Sequence, residues 1–108
     1  MARIPKRLAG PAQVSNAAAT KYTVPALTKT IIRHVHVENP SGAIVTFTMS
    51  IGADAAATRL FDAYSIAATS VFDHFCYYVV DAAEIVQALA GTNNILTLTI
   101  DGDEIVLG

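Results

Sequence analysis

Apolar and polar residues alternate with a period of two along most of the chain. In AIVTFTMSI, Ala43, Val45, Phe47, Met49 and Ile51 fall on one side of an extended backbone and Ile44, Thr46, Thr48 and Ser50 on the other. That is the pattern of a half-buried strand. ILTLTI repeats it, with Leu96, Leu98 and Ile100 inward and Thr97 and Thr99 outward. TKTIIRHVHV and SVFDHFCYYVV are dense in β-branched and aromatic residues and predict two further strands. KYTV predicts a short strand ended by Pro25, and RLF and YSI two brief extended pieces. DAAATRLFDA and DAAEIVQALAG are rich in alanine and compatible with helix by propensity. Because EIVQALAG is short and flanked by strands, it reads as a strand with Ile85, Gln87 and Leu89 on one face.

Turn chemistry separates these runs. ENPSG predicts a hairpin joining the histidine-bearing strand to AIVTFTMSI. GTNN predicts a turn before ILTLTI, and Asp101-Gly102 a tight type I′ hairpin between ILTLTI and DEIVL. The result is about eight short strands at intervals of roughly 8–12 residues, the mark of a sandwich or barrel. The expectation is an all-β protein: an antiparallel, jelly-roll-like β-sandwich over residues 21–108. Residues 1–20 lack alternation and predict an extended N-terminal arm that orders against a partner surface.

Composition sharpens this picture. A chain of 108 residues suffices for one domain and an ordinary core. Apolar residues make up 53% and charged residues 15%, below the roughly 25% charged residues of an average soluble domain. Subunit contacts that cover part of the surface would account for that. No apolar run approaches the roughly 20 residues that span a bilayer, and MARIPKRLAGPAQ lacks the apolar block of a signal peptide. Synthesis in the cytoplasm without export by that route is expected. Cys76, the one cysteine, cannot form an intrachain disulfide and reads as a small core residue.

The net charge of −2 hides an asymmetry. Arg3, Lys6, Arg7, Lys21, Lys29 and Arg33 lie in the first 33 residues, which hold no acid. Asp62, Asp73, Asp81, Glu84, Asp101, Asp103 and Glu104 lie beyond residue 60 with no Lys or Arg. Two arrangements follow: one copy steered onto the next, or strands from the two halves interleaved so that the charges mix.

The candidate chemistry centres on IIRHVHVENPSG, which places His34, His36 and Glu38 on one side of a strand. A His-x-His pair on a strand opens the metal site of the jelly-roll cupins. There a glutamate follows after three or four residues and a third histidine comes late in a glycine-rich setting. Glu38 comes too early, and the later His74 lies in an aromatic strand. Two histidines fall short of the three or more ligands zinc or iron requires, so no metal and no cofactor is expected. The pair then reads as a partly solvated or subunit-facing surface. DGDE lacks the spacing of a calcium loop. No carboxylate pair, phosphate loop or nucleophile elbow is present. RIPKR has no interleaved aromatics, so nucleic-acid binding is not expected. Tyr77 and Tyr78 lie inside an apolar strand and there is no Trp, so a carbohydrate-binding platform is not evident.

Taken together, KRLAGPAQ, YTVPALTKTIIRHVHVENPSGAIVTFTMSIGADAAATRLFD and AAEIVQALAGTNNILTLTIDGDEIVLG resemble small virion proteins of tailed phages and prophages, especially those of actinobacteria. The resemblance covers nearly the full chain and rests on structural phrases, not catalytic ones. It implies a β-sandwich module that decorates the head shell, or alternatively a minor tail, fibre or baseplate component. A small cupin-like metal-binding protein is the reading from another class. The implied partners are the major capsid protein or neighbouring virion subunits, in a homo-oligomer with a trimer favoured, with neither nucleic acid nor membrane. Arg3, Lys6, Arg7, His34 and His36 are the expected partner contacts. One departure is Leu27, where such chains often carry glycine after Pro-Ala.

Overall fold

A computed structural model describes residues 2–107. Eight strands follow in order: β1 (Ala2–Gln13), β2 (Ala19–Thr23), β3 (Thr28–Asn39), β4 (Val45–Ile51), β5 (Arg59–Ile66), β6 (Ser70–Val80), β7 (Ile85–Ala90) and β8 (Thr97–Val106). They form two antiparallel four-stranded sheets, ordered β1-β8-β3-β6 and β2-β7-β4-β5. The pairs β1·β8, β2·β7, β3·β6 and β4·β5 describe one long hairpin doubled back at its middle. Rolling that hairpin brings β8 against β3 and β7 against β4, which is the jelly roll.

In ILTLTI and over Val45–Met49 the inward rows are those read from the alternation; Ala43 is exposed, and on β7 the buried row is the one alternating with Ile85, Gln87 and Leu89. Leu96, Leu98 and Ile100 are buried, as are Val45, Phe47 and Met49, and Val86, Ala88 and Ala90 on β7. Each large aliphatic side chain so buried contributes about 1.5–3 kcal/mol of transfer free energy. The outward face of β4 is covered as well: Thr48 and Ser50 are buried, their hydroxyls bonded to Ala63 N and Gly52 O.

Two predicted turns and one predicted break come out differently. ENPSG crosses between the sheets instead of closing a hairpin, because β3 and β4 belong to different sheets. Asn39 holds this corner: its buried amide donates to the carbonyls of Ala43, Ile66 and Ala67 and its oxygen accepts from Ser41. RLF and YSI are one strand, β5, with Ala63 at positive φ inside it. Asp101-Gly102 lies in the middle of β8, not in a turn. Glycine is needed there for close approach, since a Cβ at Gly102 would stand 2.0 Å from the Ile31 carbonyl oxygen.

That approach accompanies a bulge in β3. The register slips between Ile32 and His34 against both β6 and β8. Before the slip Thr28, Thr30 and Ile32 are buried; after it Val35, Val37 and Asn39 are. An unbroken strand would send His34 and His36 to the same side as Ile32. Arg33, the extra residue of β3 against β8, lets Ile32 enter the core while both imidazoles face out.

The segment expected as an arm is extended, but it finds its surface within the same chain. β1 pairs along β8 and forms one edge of the first sheet. It supplies Leu8 to the core, and Val14 follows just beyond it, too little alternation to read as a strand. Charge helps fix it: Arg3 and Arg33 both donate to Asp103 Oδ2, at 2.7 and 2.9 Å, and Lys6 Nζ lies 3.2 Å from Glu104. The basic and acidic halves of the sequence are therefore interleaved. Glu104 also accepts from the Tyr22 hydroxyl, which lies 2.7 Å from Thr30 Oγ1. Burial, then the bond to Glu104, pushes the Tyr22 phenol up to about 12.

Candidate functional site on the outer face of the first sheet

β3 and β6 build the site together. In their register His36 stands opposite Asp73 and His34 opposite Phe75. On the other side of β3, His34 stands opposite Asp101 of β8. Asp73 Oδ1 is shared: His34 Nε2 lies 2.8 Å away and His36 Nδ1 2.6 Å. The two imidazoles, His36 the more strongly, hold the Asp73 carboxyl below the usual carboxylate range. His34 Nδ1 points toward Asp101 Oδ2 at 3.8 Å. The Phe75 ring stacks on His34, centroids 4.4 Å apart and planes within 4°.

The aromatic stripe beside this cluster is exposed. On β6, Val71, Phe75, Tyr77 and Val79 are 54%, 77%, 63% and 49% accessible, on the strand that ends the first sheet. Sequence reasoning placed Tyr77 inside an apolar strand and missed this. The strict alternation of β6 carries the signal, because Phe72, His74, Cys76 and Tyr78 occupy its other face. Arg33 lies over the Tyr77 ring, 5.5 Å from its centroid.

His34 and His36 thus share a face, as the spacing implied. Glu38 is exposed beyond them, and the cluster takes its carboxylate from β6 instead. His74 is on the opposite face, where it meets Phe61 edge-on at 4.9 Å and lies 3.1 Å from the Tyr78 hydroxyl. The cupin arrangement of three converging histidines is therefore not formed. Arg3 and Lys6 are bound to Asp103 and Glu104, and Arg7 is exposed. Nor is DGDE a loop: Asp103 faces the two arginines, whereas Glu104 faces Tyr22. Cys76 is half-buried against the core, and burial pushes its thiol up, away from nucleophilic reactivity. An open hollow of about 220 Å³ between β5 and β6 is lined by Tyr64, Ile66, Val71 and Phe72, smaller than the roughly 300–1,000 Å³ of ligand pockets.

No family model matches the chain, and comparison with curated proteins and with solved structures gives no match either.

Proposed function

We propose that the chain is an assembly module, and specifically a structural subunit of a tailed-phage virion that decorates the outer surface of the head shell. The observation that carries this reading is the row Val71, Phe75, Tyr77 and Val79 on an open edge strand. A row of exposed apolar side chains beside unpaired backbone is the kind of surface that marks a protein contact. Its occupant in this reading is a neighbouring copy of the chain. Phe75 and Tyr77 each have one ring face taken by His34 and Arg33, which favours an interlocking protein surface over a stacked sugar. The reading leaves the opposite edge, with Arg7, to meet the acidic surface of a shell protein. Weak contacts of this kind become firm when copies are joined, because each later contact is effectively intramolecular.

The test is to image particles induced from the strain that carries the gene, with the chain labelled, and to count copies. Many copies at lattice points over the head are expected. Three or six copies at the tail would move the assignment to the tail component. Particles without the chain would overturn the reading.

A further inference from the structure

We infer that His34, His36 and Asp73 form a binding site for a divalent transition metal of the zinc class. One ring nitrogen from each of His34 and His36 and a carboxylate oxygen of Asp73 lie within 4.8 Å of one another. A tetrahedral zinc ion, with bonds of about 2.0–2.1 Å, holds its ligand atoms ~3.3 Å apart. Asp73 Oδ1 is 2.8 and 2.6 Å from the two nitrogens, both somewhat inside that value. The short pairs are hydrogen bonds to protons that a metal displaces, so the carboxylate needs to retreat by only about half an ångström.

Three features make this more than three polar groups on a surface. The ligands come from paired strands and are fixed by β-ladder register rather than by a loop. Asp101, across β3, lies 3.8 Å from the nitrogen of His34 that faces away from the ion position. That is beyond hydrogen-bond distance, and a closing movement of about 0.8 Å would make Asp101 the carboxylate that orients a ligating histidine and raises its basicity. Phe75, flat against His34, holds the ring and excludes water from one side. Asp73 and Asp101 together balance two positive charges. Two imidazoles with one carboxylate select zinc, cobalt or nickel over calcium or magnesium, which prefer oxygen. Three protein ligands leave a fourth position open.

The bulge in β3 makes the site possible. Without the extra residue the His-x-His pair would share the core-facing side of Ile32. This inference does not rest on the virion reading, and its failure would leave that reading untouched.

The test uses the full chain stripped with chelator and titrated with cobalt(II), followed by visible absorption, and with zinc(II) by calorimetry. One ion per chain is expected. Affinity should fall at least about tenfold in His34→Ala, His36→Ala and Asp73→Asn, and about tenfold in Asp101→Asn, within the range of losses when a ligand's supporting partner is removed. His74→Ala should bind as the parent does. Circular dichroism checks each variant, with His34→Gln and His36→Gln as replacements where alanine disturbs the fold. Absence of saturable binding at millimolar metal would overturn the inference. So would binding that survives loss of both histidines, or binding lost with His74.

Discussion

The two edges of the first sheet are built in opposite ways. At the β1–β8 edge two acids of the closing strand are bound: Asp103 lies between Arg3 and Arg33, and Glu104 between Lys6 and Tyr22. At the β3–β6 edge one carboxylate serves two imidazoles, and the hydrophobic side chains next to it stay in solvent. The first edge satisfies Asp103 and Glu104 internally. The second leaves apolar area and metal-ligand chemistry exposed. Folded-state stability is therefore expected to depend on the first edge, and intermolecular contact is proposed for the second.

Substitutions that separate these roles differ in size. Gly102 sits on the seam between the edges, and Gly102→Ala places a methyl 2.0 Å from a backbone oxygen. A loss of about 3 kcal/mol in denaturant unfolding is expected, with the bulge and both histidines disturbed. Asp103→Asn weakens the bonds from Arg3 and Arg33 and should cost about 2 kcal/mol. Asp73→Asn, at the other edge, should leave the unfolding midpoint close to that of the parent. Equal losses from those two would erase the contrast.

A smaller effect concerns the interior end of the first edge. Tyr22 keeps its proton in the folded state to about pH 12, whereas its ordinary value is 10.0. The unfolded chain gives up that proton first, so the contribution of Tyr22 to stability is constant below pH 10 and declines between 10 and about 12. Phenolate absorbance during alkaline titration should show one late step, absent in Tyr22→Phe. The smallest effect is Leu27→Gly. Leu27 is exposed at φ 55°, and relief of left-handed strain, less the added backbone entropy, should stabilise the chain by about 0.5 kcal/mol in thermal unfolding.

Period-two alternation made the sandwich legible, because it reports which side of a strand meets the core. It carried β4 and the ILTLTI half of β8, while β3 and β6 were read from their density of β-branched and aromatic residues. It did not show β1, whose hold comes from backbone pairing and ion pairs to residues about 100 positions away. Asp-Gly misled because the same dipeptide serves a hairpin or a close strand approach, and only the neighbouring strand decides. Leu27 holds the left-handed backbone angle that glycine favours, which its side chain gave no sign of. Of the site, the His34–His36 pair was visible and its third group was not. Asp73 is 37 residues from His36, and register, not spacing, brings it there. The exposed aromatics were hidden because an apolar strand does not announce that it is an edge.

The most direct test of the proposed contact face is sedimentation of the wild-type chain against the Phe75→Ser/Tyr77→Ser variant over a range of concentrations. The account predicts that the wild type associates and the variant is monomeric with an unchanged unfolding midpoint. A wild type that stays monomeric throughout, or a variant that assembles as readily, would contradict it.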